Sequence, residues 1–286
     1  MKSNVEIRPS PIAGQWYPAD PKRLAKEVDR YMDAVQLPEL PGEVVAVMAP
    51  HAGYLYSGPV AGYAFSAVRS LSVDVVAVLS PMHYPYNDPL LTTAHAAYAT
   101  PLGAVEVERL LLRDLSGALE KTLGFGLAQV TNDPEHSLEI ELPFLQRALP
   151  EGFTLIPLML RDQRPNTARH LGKTLARLLQ GRKALLVAST DLSHFYNQSQ
   201  AKALDSELLR RVEAFDPDAV LSAEEEGQGY ACGKAALAAV LWAARDLGAN
   251  SVRVLKHATS GDVNGEYDRV VGYGAAVVLR RKDLDE

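Results

Sequence analysis

The chain has 286 residues, 47% apolar and 22% charged, an ordinary globular composition with enough length to bury a full core. A formal charge of −6 offers no basic footprint for nucleic acid, and no apolar run approaches the roughly 18–20 residues that span a bilayer. The single cysteine, Cys232, excludes an internal disulfide framework, and the opening stretch MKSNVEIRPSPIAGQWYPAD has no apolar signal core, so a cytoplasmic, membrane-free protein is expected.

Taken in chain order, residues 1–20 are extended and broken by Pro and Gly. Pro21 to Val35 has helical periodicity, with Leu24, Val28 and Tyr31 on one face. The Pro-rich LPELPGE leads into a first core strand, VVAVMAP. Pro59 is expected to open a helix, PVAGYAFSAVRS, because proline suits a first turn. A second strand ends at Leu79. Residues 104–122 read as helix, and another helix is expected from near Ser137. FTLIPLML reads as a buried strand, TARHLGKTLARLL as an amphipathic helix and KALLVAS as a third strand. Residues 200–214 and 217–225 look helical. A helix over CGKAALAAVLWAARDLG is expected to end at Gly248, and SVRVLKHA and RVVGYGAAVVLR close the sheet. The strand–helix alternation predicts an α/β fold: a single domain over 1–286 with a central, mostly buried sheet flanked by helices.

Three apolar runs end in chemistry-bearing residues. VVAVMAP leads to His51, VDVVAVLSPM to His83, and ALLVASTDLS to Asp191 and His194. Ligands of α/β sheets bind beyond the carboxyl ends of the strands, so these distant residues can meet in one crevice as a metal or acid/base site. Neutral imidazole is the commonest metal ligand; His51 or His83 alone could merely bond a loop carbonyl, but two such strand-tip histidines in one chain favour the functional reading. Asp191, three residues before His194 in a turn or first helical turn, could orient that imidazole for proton transfer or merely cap a helix. Cys232 at the start of a helix, with Lys234 nearby, reads either as a stabilised thiolate or as a small buried hydrophobe. His95 and His170 read as structural, whereas a site role for His257 stays open. There is no GxxxxGK[ST], GxGxxG or GxSxG pattern, so no nucleotide cofactor and no serine-hydrolase elbow is expected.

The stretches GQWYPAD, APHAGYLYSG, LSPMHYP, DPEHSLEIELPFL, STDLSHFY, ACGKAAL and TSGD resemble, in order and over almost the whole chain, the Memo family. Its prokaryotic branch is called AmmeMemoRadiSam system protein B. The resemblance implies a fold similar to class III extradiol dioxygenases of the LigB type, which use two histidines and a carboxylate to hold Fe(II). Carried over residue by residue, it implies metal ligands His51, His83 and Cys232, and catalytic residues His194, Asp191 and His136. It also implies substrate contacts at Trp16, Tyr54 and Tyr56. A thiolate in place of the carboxylate makes a softer site, favouring Cu or Zn without excluding Fe. Tyr84 stands where some members carry a second histidine.

The function implied is a metal-dependent, dioxygenase-like oxidoreductase acting with an AMMECR-type protein and a radical-SAM protein. The alternative is a non-catalytic module that keeps the pocket to bind a small molecule, a modified residue or a protein.

Overall fold

The computed structural model describes residues 7–69, 71–150 and 152–281. The expectations for residues 1–6 and for Ser70, at the end of PVAGYAFSAVRS, lie outside the described residues.

The N-terminal half opens with β1 (Ile7–Arg8), α1 (Pro21–Asp33), β2 (Glu43–Ala49), α2 (Tyr54–Ser66) and β3 (Val75–Pro81). Three short strands follow, β4 (Leu90–Thr93), β5 (Ala97–Thr100) and β6 (Gly103–Glu106), then α3 (Arg109–Leu123) and β7 (Ala128–Val130). A 3₁₀ turn over Glu139–Glu141 leads into α4 (Leu142–Ala148). Next come β8 (Thr154–Leu160), α5 (Pro165–Leu179), β9 (Ala184–Ser189) and β10 (His194–Tyr196). The chain closes with α6 (Gln198–Glu213), α7 (Pro217–Ser222), α8 (Lys234–Asp246), β11 (Ser251–Thr259), α9 (Gly261–Asn264) and β12 (Val270–Arg280).

The main sheet runs β10-β12-β2-β9-β3-β8-β4-β7, with β11 paired to β12. Its centre is parallel: β2 pairs β9, β9 pairs β3 and β3 pairs β8. These strands are buried almost throughout, which is why they read as unbroken Val, Leu and Ala runs. α5 and α8 pack on each other, and α8 lies against β2, β3 and β9. α2 packs on β2, β11 and β12, with α1 and α4 beside it. α8 is helical because Ala and Leu have high helix propensity, and it is buried almost all round. A small second sheet, β1-β5-β6, ties the N-terminus to the rest.

Four boundaries differ from the sequence reading. α2 begins at Tyr54, and Pro59 lies inside it. The first turn is already built before the proline, because the N–H groups of Tyr56 and Ser57 both donate to the Gly53 carbonyl. Gly58 in this helix is needed for close approach, since a Cβ there would strike the Tyr31 ring of α1. Residues 103–106 form a strand, not the start of a helix. The alternation in AVEV is a period-2 pattern, and it pairs with β5 through a tight turn at Pro101 and Leu102. α8 starts at Lys234, leaving Cys232 outside the helix. His194 sits in a short edge strand paired to β12, not in a helical turn.

Candidate metal centre

The site follows from the register of the parallel strands. Ala49 of β2 lies opposite Ser189 of β9, and β3 pairs β9 on its other side. The loops after these three neighbouring strands therefore emerge together, carrying His51, Asp191 and His83. The ring centroids of His51 and His83 are 5.3 Å apart. The 3₁₀ approach to α4 brings in His136, whose ring stacks on His83 at 4.9 Å and lies 5.4 Å from His51. One ring nitrogen from each of the three lies within 4.8 Å of the others. Two metal–nitrogen bonds of about 2.1 Å span at most about 4.2 Å, so shifts of under about an ångström would close these rings on one ion.

Each ring is held by its Nδ1. That of His51 is 2.9 Å from the Ser189 hydroxyl. That of His83 is 2.9 Å from Glu135 Oε1, and that of His136 is 3.4 Å from the same oxygen. Glu135 also accepts the backbone N–H groups of His83, His136 and Ser137. Burial alone would raise its carboxyl. The hydrogen bond and charge of His83, the charge of His136 and the Ser137 N–H outweigh that and hold it well below the usual carboxylate range. One ionised carboxylate thus orients two imidazoles, an arrangement that fixes metal ligands. Burial, then the charges of His136 and His83, push His51 well below its ordinary value. Burial also lowers His136, to about 4, with Glu135 opposing and His83 assisting. His51 and His136 are thereby kept neutral at physiological pH, with the lone pairs a metal needs.

Cys232 lies beside this group but is not a member of it. Its Sγ is 3.2 Å from His51 Nε2 and 3.3 Å from the Asp191 N–H, with Thr190 Oγ1 at 3.8 Å. The donor set the geometry gathers is three imidazoles, where the sequence comparison implied two and a thiolate. Lys234, expected to add charge beside the thiol, instead pairs with Glu224. Burial, then the charge of Asp191, pushes the thiol far up, outweighing the Asp191 and Gly233 N–H groups and the Thr190 hydroxyl.

Asp191 does not orient His194. Its Oδ1 accepts the His51 N–H at 2.8 Å, and no hydrogen bond joins its carboxylate to His194. It is buried, and burial raises its carboxyl to about 7 against the His51 and Ala52 N–H groups and the charge of His83. His194 stands 5.4 Å from the Tyr230 ring and 5.7 Å from Phe195. Its Nε2 is buried and makes no hydrogen bond.

The three aromatic residues separate. The Trp16 ring lies 4.1 Å from His136, forming a wall of the crevice. Tyr56 is half-buried and packs on the core. Tyr54 is itself a core residue. Its ring packs on Tyr17, Tyr31 and Phe144, and its hydroxyl donates to the Ile140 carbonyl, which leaves nothing to offer a substrate.

Sequence reasoning missed the residues behind the ligands. Besides Glu135 and Ser189, these include Glu141, buried 2.7 Å from the Ser189 hydroxyl, and Arg8. Arg8 clamps the histidine-bearing loop: it is fully buried and binds Asp133 and Glu139 and the Glu135 carbonyl. The signal for Glu135 was available, as an acid directly before a histidine in a proline-led loop. None existed for Arg8.

Fold and site together define an α/β protein with a histidine-built, metal-competent crevice at the carboxyl ends of its central parallel strands. The pattern described as Memo-like protein matches residues 8–277, and the chain belongs to the Memo family. It is 32% identical over 274 residues to a MEMO1 family protein of Nitrosopumilus maritimus, covering 94% of this chain and 98% of the relative. It is 35% identical over 281 residues to a MEMO1 family protein of Methanopyrus kandleri, again covering 94% of this chain and 98% of the relative. Among solved structures, an uncharacterized protein of Escherichia coli K12 matches 80% of this chain and 99% of its own at 13% identity and a TM-score of 0.48.

No described helix is long and apolar enough to cross a membrane.

Proposed function

We propose that this Memo-family chain is a metal-dependent redox enzyme with a dioxygenase-like pocket. We further propose that it works with an AMMECR-type protein and a radical-SAM protein, a partnership supported by the family alone. The observation that carries the reading is the trio His51, His83 and His136, with their ring nitrogens within 4.8 Å. The three rings are each engaged at Nδ1, by Ser189 or Glu135, and together they offer one nitrogen apiece to a shared point, a convergence that a purely structural role does not require.

Iron, copper and zinc all accept imidazole, and a redox-active ion among them would supply electron transfer and Lewis acidity when bound. The chain's own residues supply the rest. Glu135 keeps His83 and His136 aimed, and Asp191 holds the His51 backbone. Trp16 closes one side of the crevice against water and offers a flat apolar face to a planar substrate. His194 carries a buried Nε2 with no hydrogen-bond partner, which supports reading it as the group that exchanges a proton with a bound substrate.

The test is oxygen uptake by protein loaded with iron or copper in the presence of a reductant. Uptake that requires the metal and is lost in His51→Ala supports the redox reading. Absence of uptake by the wild type with either metal overturns it in favour of a non-catalytic module that binds a small ligand or a protein.

A further inference from the structure

His194 has no carboxylate at its ring, yet a buried carboxylate stands directly behind its loop. Asp205, on α6, is fully buried. Its Oδ1 accepts the N–H of Ser193, the residue before His194, at 2.9 Å. Its Oδ2 is 2.8 Å from Nε2 of His257 on β11. The same loop is pinned from β12: Leu192 donates to the Gly272 carbonyl, and Gly272 donates to the Ser193 carbonyl, both at 2.8 Å. Gly272 has to be glycine, because a Cβ there would occupy the position of the Asp205 carboxylate. Three elements are thus shaped around one carboxylate whose contacts are His257 and the Ser193 peptide.

A buried carboxylate without a partner is costly, and hydrophobic residues would fill this space as well. His257 supplies the partner, with its side chain 21% exposed to solvent. It is therefore the end of the chain that contacts water, while at the other end the Nε2 of His194 is buried. We propose that Asp205, held by His257, is the positioning residue for His194, fixing its loop and setting the charge behind its imidazole. The proposal rests on reading His194 as the proton-transfer group. The groups acting on that ring are its own burial and the charge of His83, which lower its affinity for protons, and Asp205, which raises it. Phe195 and Tyr230 contact it as rings. A negative charge at Asp205 opposes the loss of basicity that burial and His83 impose on this imidazole.

Histidine-ring NMR titration of the full chain in the presence of EDTA reads this without any substrate. Asp205→Asn keeps an oxygen for the Ser193 N–H, removes the charge, and turns an amide N–H toward His257 Nε2, which accepts it in the other neutral tautomer. It should lower the His194 midpoint by about 0.5–1 pH unit, the size of one partly screened charge. A role limited to holding the loop predicts the opposite sign, because a loosened, solvated His194 moves up toward its ordinary value. Asp205→Ser, a second way to remove the charge, should also lower the midpoint, which keeps the proposal testable if Asp205→Asn fails to fold. An unchanged or raised midpoint in the folded variants overturns the proposal. Lowered midpoints in a protein that shows no oxygen uptake leave Asp205 as the residue poising His194 and overturn only the redox reading.

Discussion

Sγ of Cys232 lies 3.2 Å from Nε2 of His51, the ring nitrogen left over once Nδ1 has engaged Ser189. In the metal-free protein the thiol therefore occupies the second nitrogen of the His51 ring. Because Cys232 lies outside α8, half-buried with its thiol desolvated beside Asp191, the metal-free thiol is held up, not lowered as a helix N-terminus would do. Alkylation of the metal-free protein by iodoacetamide should be slow at neutral pH and rise only in alkali. A midpoint below the ordinary value of about 8.5 would show that the helix end controls the thiol after all.

Glu135 should matter to metal affinity nearly as much as the ligands. Glu135→Ala removes the anchor of both His83 and His136 and should weaken metal binding about 10–100-fold, the usual effect of losing such support. His51→Ala should abolish stoichiometric binding. Competition titration against a chromophoric chelator measures both, and equal affinities in Glu135→Ala and wild type would refute the shared anchor.

Asp191 has a different task from the one its spacing suggested. Asp191→Ala strips the acceptor from the buried His51 N–H and should destabilise the fold by about 1–3 kcal/mol. Asp191→Asn keeps an oxygen there and should lose much less. Urea unfolding compares the two, and identical midpoints would mean the His51 N–H finds another partner.

Glu141 provides a pH signature. Burial raises its carboxyl well above the ordinary value, with the Ser189 hydrogen bond opposing and Asp191 adding to it. The folded protein thus holds a proton that the unfolded chain releases near pH 4.5. The neutral acid's contribution is fully present below that pH and is lost as pH rises toward the folded value. Stability of Glu141→Gln, measured by urea unfolding across this range, should fall less steeply with pH than that of the wild type. Parallel curves would place the carboxylate outside the linkage.

Arg8 should be costly to remove. Arg8→Met leaves Asp133 and Glu139 buried without their cation and should destabilise the protein by about 3–5 kcal/mol. Because Arg8 also holds the Glu135 carbonyl, metal affinity should drop in parallel. A stable Arg8→Met variant with full metal affinity would show that the loop holds its shape unaided.

Much of the molecule was legible in the linear sequence. The Val- and Leu-rich runs of β2, β3 and β9 read as strands buried on both faces, and their alternation with helical segments pointed to the α/β class. Parallel strands end at one edge, so His51 and His83 could be expected to meet before any coordinate was known. Local pattern failed where distant contacts outweigh it. Pro59 reads as a helix start, yet the turn before it is set by Gly53 and the packing of Gly58 on Tyr31. Asp191 and His194, three residues apart, read as a pair. The strand register instead turns one carboxylate toward His51 and sets the imidazole against β12, with Asp205 of a later helix behind it. Residue types and strand ends follow from short-range chemistry carried by the chain itself. Which carboxylate serves which histidine depends on ångström-scale packing between segments 52 residues apart for Glu135 and His83 and 140 apart for Asp191 and His51, and only the tertiary structure decides that.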